Sequence, residues 1–314
     1  MTLIDVHQLF STDEKCRELL KRLRWPNGPE CPRCKGKAVE LETEKQLFYC
    51  AGCDYQFTVT AGTIFHDTHL PLLKWLVAVY LLCESRKGMS ANQIKRTLGI
   101  SYKTAWYLCH RIRRAMRETD RAMLDGTVEK VKNMHASKRA ETIQGRGKVG
   151  KEVVIGIRQR NGDLYFFHAE DMTSGTLARF IRENVSQDVD VIITDDYKAY
   201  EKAVDGLKHK TVNHSGGVYV DGESHTNTVE SAFSLLKRGI VGTWHNISAK
   251  HLPAYLDEMT FRFNRRKRSD LFIDTLRYMV TADPLTFANL TAQTSSQTSS
   301  AARNQAHAPQ DSAG

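Results

Sequence analysis

Residues 188–200 read DVDVIITDDYKAY, where Val189, Val191, Ile192 and Ile193 form a run that breaks off at Thr194-Asp195-Asp196. Apolar residues so closely spaced predict a buried strand. Carboxylates at the carboxyl end of a central strand point toward the edge of a sheet where ligands bind. Capping the following helix is the ordinary alternative for either acid.

Upstream, VVIGIRQRNGDLYFFHAE contains two strand-like runs joined at Asn161-Gly162, a strong hairpin signal. An amphipathic helix follows in TSGTLARFIRENV. Downstream, HTNTVESAFSLLKRGIVGTWHNIS predicts a helix from about Thr226 to Arg238. Its Val229, Phe233, Leu236 and Ile240 share one apolar stripe, and Asn227, Glu230, Ser234 and Lys237 share another beside it. Such an alignment also arises by chance on a solvated face. Asp195 and Glu230, with thirty-four residues between them, suit a two-metal phosphoryl-transfer site. Magnesium or manganese fits such oxygen ligands.

At the other end, Cys31-Pro-Arg-Cys34 and Cys50-Ala-Gly-Cys53 make C-x2-C-x15-C-x2-C. Two such turns place four thiolates at the corners of a closed tetrahedron, which predicts a structural zinc. Lys35-Gly36 gives the backbone room to turn, VELET and KQLFYC alternate like ribbon strands, and Phe48, Tyr55 and Phe57 supply a small core. A redox pair is the competing explanation. Cys16, Cys83 and Cys109 stand singly in helical patterns and suit core packing.

Between these ends, MSANQIKRTLGISYKTAWYLCHRIRRAM divides into two helices, with Ser90 and Ser101 as N-caps and Gly99 as the stop. The arrangement predicts a helix-turn-helix, with a plain helical hairpin as the alternative. In its second helix Ala105, Leu108, Ile112 and Ala115 form the buried stripe, leaving Lys103, Tyr107, Arg111 and Arg114 for a DNA duplex.

The chain has 314 residues and a formal net charge of +9, which favours an anionic partner such as nucleic acid. From Lys130 to Lys151 seven Lys or Arg stand against one acid, Glu141. No stretch approaches a membrane span and no signal peptide is evident, so a cytoplasmic protein is expected. Four segments separate: a zinc ribbon over 1–60, a helical DNA-binding segment over 61–120, a mixed sheet-and-helix domain over 121–285, and a tail over 286–314 expected to be disordered.

Together CPRC, CAGC, TDDYKAY, SHTNTVESAFSLLKRGIVGTWHNIS and HLPAYLDEMTFRFNRR resemble bacterial insertion-sequence transposases of the ISXO-like group, over roughly residues 10–285. The resemblance implies an RNase H-like domain, in an α+β or α/β multidomain chain, with an acidic triad whose third member is Glu or Asn. By position, Asp195 looks like the second acid, Glu230 the third, Asn227 the nearby amide and Lys237 a phosphate-contacting lysine. Tyr255, Glu258, Arg262, Asn264 and Arg265 fall in the family's closing helix. Arg262 and Arg265 there, with Lys138 and Arg139 of the basic stretch, complete the candidate DNA contacts. The resemblance also implies double-stranded DNA as partner, both element ends and target, and a homo-oligomer in a synaptic complex.

One departure stands out. In the family the strand entered by Val128-Glu129 continues into an Asp-Glu pair, an aromatic residue and a Gly-Gly turn. This chain passes from Glu129 to Lys130-Val131-Lys132, so the first catalytic aspartate has no counterpart. The first strand is therefore expected to be truncated and the enzyme impaired, with a non-catalytic DNA-binding regulator as the other reading. Asp125, beside Gly126, suits a turn, and Glu129 is expected to need a shift of register to replace the missing acid.

Overall fold

The computed structural model describes residues 1–43, 46–119, 121–137, 151–195, 197–204, 206–212, 227–245 and 247–292. For 130–137, 151, 195, 227 and 228 the description extends to the backbone alone. Residues Met1–Pro284 form one compact unit and Leu285–Gly314 a second.

The chain opens with α1 (Leu3–Leu9) and α2 (Asp13–Arg24), whose N-caps Thr2 and Thr12 accept backbone N–H groups of the first turn. A three-stranded antiparallel sheet follows: β1 (Val39–Glu40), β2 (Phe48–Cys50) and β3 (Tyr55–Phe57). Phe48 and Phe57 are buried in it, and Trp25, at the end of α2, packs edge-on to both.

Helices α3 (Leu72–Glu84), α4 (Ala91–Leu98) and α5 (Tyr102–Ala115) come next. As the sequence predicts, Ser90 and Ser101 cap α4 and α5, and Gly99 closes α4 with a φ of 60°. The stripe Ala105, Leu108, Ile112 and Ala115 is buried, as are Cys16, Cys83 and Cys109. Burial pushes the Cys16 and Cys83 thiols up to about 12, the state of inert core cysteines.

The main sheet contains β4 (Thr127–Ser137), β5 (Lys151–Gln159), β6 (Leu164–Ala169), β7 (Val191–Asp195) and β8 (His209–Val212), in the order β6-β5-β4-β7-β8. Strand β4 is central: antiparallel to β5, which pairs antiparallel with β6, and parallel to β7, which pairs parallel with β8. This is the RNase H-like arrangement. Asn161 takes a φ of 62° at the β5–β6 turn, where the sequence places the hairpin. Between strands lie α6 (Ser174–Asn184), capped by Thr173, and α7 (Ala199–Ala203).

Two layers cover the sheet. On one face Val128, Ile155, Ile157 and Tyr165 pack with Leu177, Phe180 and Ile181 of α6 and Tyr200 of α7. Against the other lie α8 (Asn227–Gly239) and α9 (Leu252–Asn264), where Val154, Leu164 and Phe166 meet Val229, Phe233, Leu236 and Met259. The predicted apolar stripe of α8, Ile240 included, is buried. A π-helical turn over Ile240–Trp244 ends α8 and brings Trp244 within 5.0 Å of the Tyr255 ring. A 3-10 turn, Ala249–His251, leads into α9, and α10 (Leu271–Thr281) returns to pack on α2, α3 and α5.

Two expectations change. The first strand is not cut short: β4 runs eleven residues, and the lysine-bearing sequence after Glu129 is drawn into it by pairing with β5, while β7 pairs with Thr127, Val128 and Glu129. In the tail, Thr286 caps a short helix, α11 (Phe287–Thr291), by accepting the Asn289 N–H at 3.1 Å. The expectation for 293–314 lies outside the described residues.

Candidate functional site

The four cysteines of the N-terminal sheet converge as their spacing predicts. All four Sγ atoms lie within 4.8 Å of one another, Cys31 Sγ 3.5 Å from Cys53 Sγ and Cys34 Sγ 3.4 Å from Cys50 Sγ. Zinc–sulfur bonds of about 2.3 Å in a tetrahedron put sulfurs about 3.8 Å apart, so the residues fit a zinc ion. Each C-x2-C turn ends in a left-handed residue, Lys35 at φ 60° and Asp54 at φ 50°. Lys35 itself makes the turn that the sequence reading assigns to Lys35-Gly36 together. Burial opposes ionisation of Cys31, but hydrogen bonds from the Cys34 and Arg33 backbone outweigh it and bring the thiol down to about 6. Burial, and then its sulfur neighbours, push Cys53 up to about 12. Four thiolates this close need a cation between them, and a dication with no open position makes the site structural.

The second site lies at the α8 face of the main sheet. Asp195 is the last residue of β7, paired with Val212 of β8. Glu230 stands half-buried in the first turn of α8. The side chains of Asp195 and Asn227, and all of Lys138 and Arg139, lie outside what is described. On β4, Glu129 is fully buried, and its carboxylate accepts from Arg160 Nε at 3.1 Å and from the Val229 backbone N–H at 3.4 Å. It therefore neutralises a cation and satisfies an N–H of the α8 N-terminus, where a negative charge is favoured. No register shift is needed to bring Glu129 to this face. It pairs with Ile193 of β7, and its carboxylate already meets α8.

The β4–β7 ladder ends at the Glu129–Ile193 pair; two residues on from it, β4 carries Val131 and β7 carries Asp195. Just beyond, β4 holds one more residue than β5 between the pairs Val131–Gly156 and Met134–Val154, a bulge at Lys132-Asn133. The break in the family pattern thus sits at a bulge. Asp125 accepts a hydrogen bond from Gln159 Nε2 beside Gly126, whose φ is 60°, and serves the turn as expected.

Residues 118–264 match the ISXO2-like transposase domain, and residues 11–56 match the transposase zinc-ribbon domain. Both matched domains, in two separate parts of the chain, are transposase domains. A protein of the transposable element ISH50 of Halobacterium salinarum is 27% identical over 273 residues, covering 81% of this chain and 91% of the relative. Among solved structures, the Mos1 strand transfer complex aligns with a TM-score of 0.28 and 10% identity, over 65% of this chain and 74% of that one. The simian T-cell lymphotropic virus intasome, in complex with a PP2A regulatory subunit, aligns with a TM-score of 0.25 and 15% identity, over 71% and 73%.

The candidate DNA contacts divide. Lys103 and Arg114 are exposed on α5 and Tyr107 is half-buried. Lys237 is exposed on α8. Three candidates are corrected. Arg111 is buried, donates to the His66 carbonyl at 2.6 Å and lies over the Trp75 and Tyr107 rings. Arg262 is buried, bonded to the Ser85 carbonyl and ion-paired with Glu258 at 3.1 Å. Arg265 is held by Asp274 at 2.9 Å, Tyr278 at 2.8 Å and Glu118 at 2.5 Å. Each guanidinium is engaged by groups of the protein itself.

Sequence reasoning missed Arg160, whose signal was its place just past the strand that opposes Glu129. It also missed Arg113, which reads as one more basic residue of α5 but is buried and donates to Glu258 at 2.6 Å.

Proposed function

We propose that this ISXO2-like transposase binds DNA and has lost the ability to cut it. The observation that carries this reading is the content of β4. Two residues past the Glu129–Ile193 pair, where β7 carries Asp195, β4 carries Val131, and the one acid between Thr127 and Ser137, Glu129, is tied to Arg160 and the α8 N-terminus. Asp195 and Glu230 would hold a divalent ion that, when bound, activates the attacking oxygen and stabilises the leaving one. Two metal ions about 3.5–4 Å apart need a carboxylate from the central strand as well, and a valine cannot supply one. The residues of β4 do not fit the catalytic metals.

DNA binding rests on the other half of the chain. The first residues of α5 carry Tyr102, which is 50% exposed, and exposed Lys103, at the end of a recognition helix that meets base edges in helix-turn-helix proteins. The net charge of +9 adds a sequence-independent attraction to phosphate. A homo-oligomer holding two element ends would then form without strand cleavage.

The test is end cleavage with magnesium or manganese on duplex DNA carrying the element's terminal repeats. The wild-type protein is expected to bind the ends and leave them intact. Val131→Asp is expected to raise nicking about tenfold or more, a gain removed by Asp195→Ala. Robust wild-type cleavage that Asp195→Ala abolishes would overturn the loss of activity. Absence of end-specific binding at any salt concentration would overturn the DNA-binding reading.

A further inference from the structure

A cavity of about 700 Å³ opens between α3, α8, α9 and α10, walled by Arg86, Arg158, Arg262, Arg266 and Arg268 against one carboxylate, Glu84. Five guanidiniums around one hollow favour the entry of a negative group, even with Arg262 paired to Glu258 and Arg268 to Asp270 and Asp274. Two of them are already placed at a cost in solvation. Arg158 is 7% exposed and Arg262 is 5% exposed.

Arg262 is the more telling. Its Nη1 donates to the Ser85 carbonyl and its Nη2 lies 3.1 Å from Glu258, while its Nε is buried without a hydrogen-bond partner. Glu258 is fully buried and also binds Arg113 Nε at 2.6 Å. One carboxylate between two buried guanidiniums leaves one positive charge uncompensated in the wall of the cavity. Beside it, Arg158 and Arg266 lie over the ring of Phe263, the next residue of α9, at 5.1 and 4.0 Å. Burial, and after it the like charge of Arg266, pulls the Arg158 guanidinium below the ordinary arginine value. Arg268, by contrast, is engaged by both oxygens of Asp270 at 2.8 Å.

The chemistry that answers this excess is a phosphate group. Its oxygens accept paired N–H donors from planar guanidiniums, which explains arginine rather than lysine at every cationic position. The place fits as well. Arg158 is the β5 partner of Glu129, and Ser231, which follows Glu230 on α8, also lines the cavity. The hollow therefore adjoins the face where Glu230 stands.

We propose that this cavity holds backbone phosphates of a DNA strand running past α8, an inference that rests on the DNA-binding reading above. Arg86 and Arg266 line it and are exposed, Arg266 donating to the Phe263 carbonyl at 2.5 Å, so they can be removed without emptying the core.

The experiment uses the full zinc-loaded chain with two probes, inorganic pyrophosphate by calorimetry and a labelled terminal-repeat duplex by anisotropy across a salt series. The comparison is wild type, R86A/R266A, and R179A, an exposed arginine of α6 on the other face of the sheet. The double variant should lose about tenfold in affinity for both probes, and its salt slope should fall by about two, one for each phosphate contact. R179A should stay within about twofold of wild type, as a surface charge remote from the contact. Equal behaviour of R86A/R266A and R179A toward pyrophosphate would overturn the anion site. Weaker pyrophosphate binding with unchanged duplex affinity would assign the cavity to a free anion and overturn its role with DNA. Duplex binding absent from all three proteins, with pyrophosphate still bound by wild type, would sink the DNA-binding reading and keep an anion cavity.

Discussion

Glu258 shows most plainly how far a charged residue's role depends on its surroundings. It sits in α9, fully buried, with Arg113 from α5 on one side and Arg262, one turn along its own helix, on the other. A buried ion pair adds little over a well-packed apolar pair, but breaking one leaves a charge stranded in the core. Glu258→Gln should therefore destabilise the chain by about 3–5 kcal/mol, read as a lower urea midpoint; a loss under about 1 kcal/mol would place the triad nearer water than its burial indicates. The sequence announced the residue types here but not their use. Arg111, Arg113 and Arg114 are consecutive or nearly so on α5, yet two are buried and one is exposed. Helical periodicity separates the faces of a helix, but it does not say that the covered face will meet a carboxylate 145 residues away.

At the scale of elements, local signals carried well and pairing signals did not. Ser90, Gly99, Ser101 and Asn161-Gly162 act through their own backbone neighbours, and each falls where its chemistry predicts. Strand β4 is the counter-case. Its lysines and polar residues do not read as a strand, but β5 supplies hydrogen-bond partners as far as Ser137, and pairing decides the conformation. The same sheet has a contact that tests how closely α8 rides on it. A Cβ built on Gly156 would meet Phe233 Cε2 at 2.7 Å and Phe166 Cε1 at 2.9 Å. Gly156→Ala should push α8 outward and cost about 1–3 kcal/mol by overpacking, again by urea unfolding. An unchanged midpoint would mean that the two rings give way without moving the helix.

At the scale of the whole molecule, composition suggests divisions near residues 60 and 120, but Met1–Pro284 packs as one compact unit. The front helices share a core with the closing ones: Cys83 Sγ lies 3.3 Å from Thr275 Oγ1, and α10 packs on α2, α3 and α5. The zinc ribbon is attached differently. Its small sheet is joined to the body through α2, with Trp25 against Phe48 and Phe57, Arg24 donating to the Val59 carbonyl at 2.6 Å, and Asp13 accepting from the Leu72 N–H at 3.1 Å. Strands of two and three residues cannot stand on their own pairing, so the metal must hold them. The α2 helix, clamped by α3 and α10, has its own support. Removing zinc with a chelator should then unfold the ribbon alone. In hydrogen exchange, residues 31–57 should lose protection while β5, β6 and α9 keep theirs, and restoring zinc should reverse the change. Loss of protection throughout residues 1–284 on chelation would show instead that the metal supports the whole compact unit, and that the ribbon is part of its core rather than a module fastened to it.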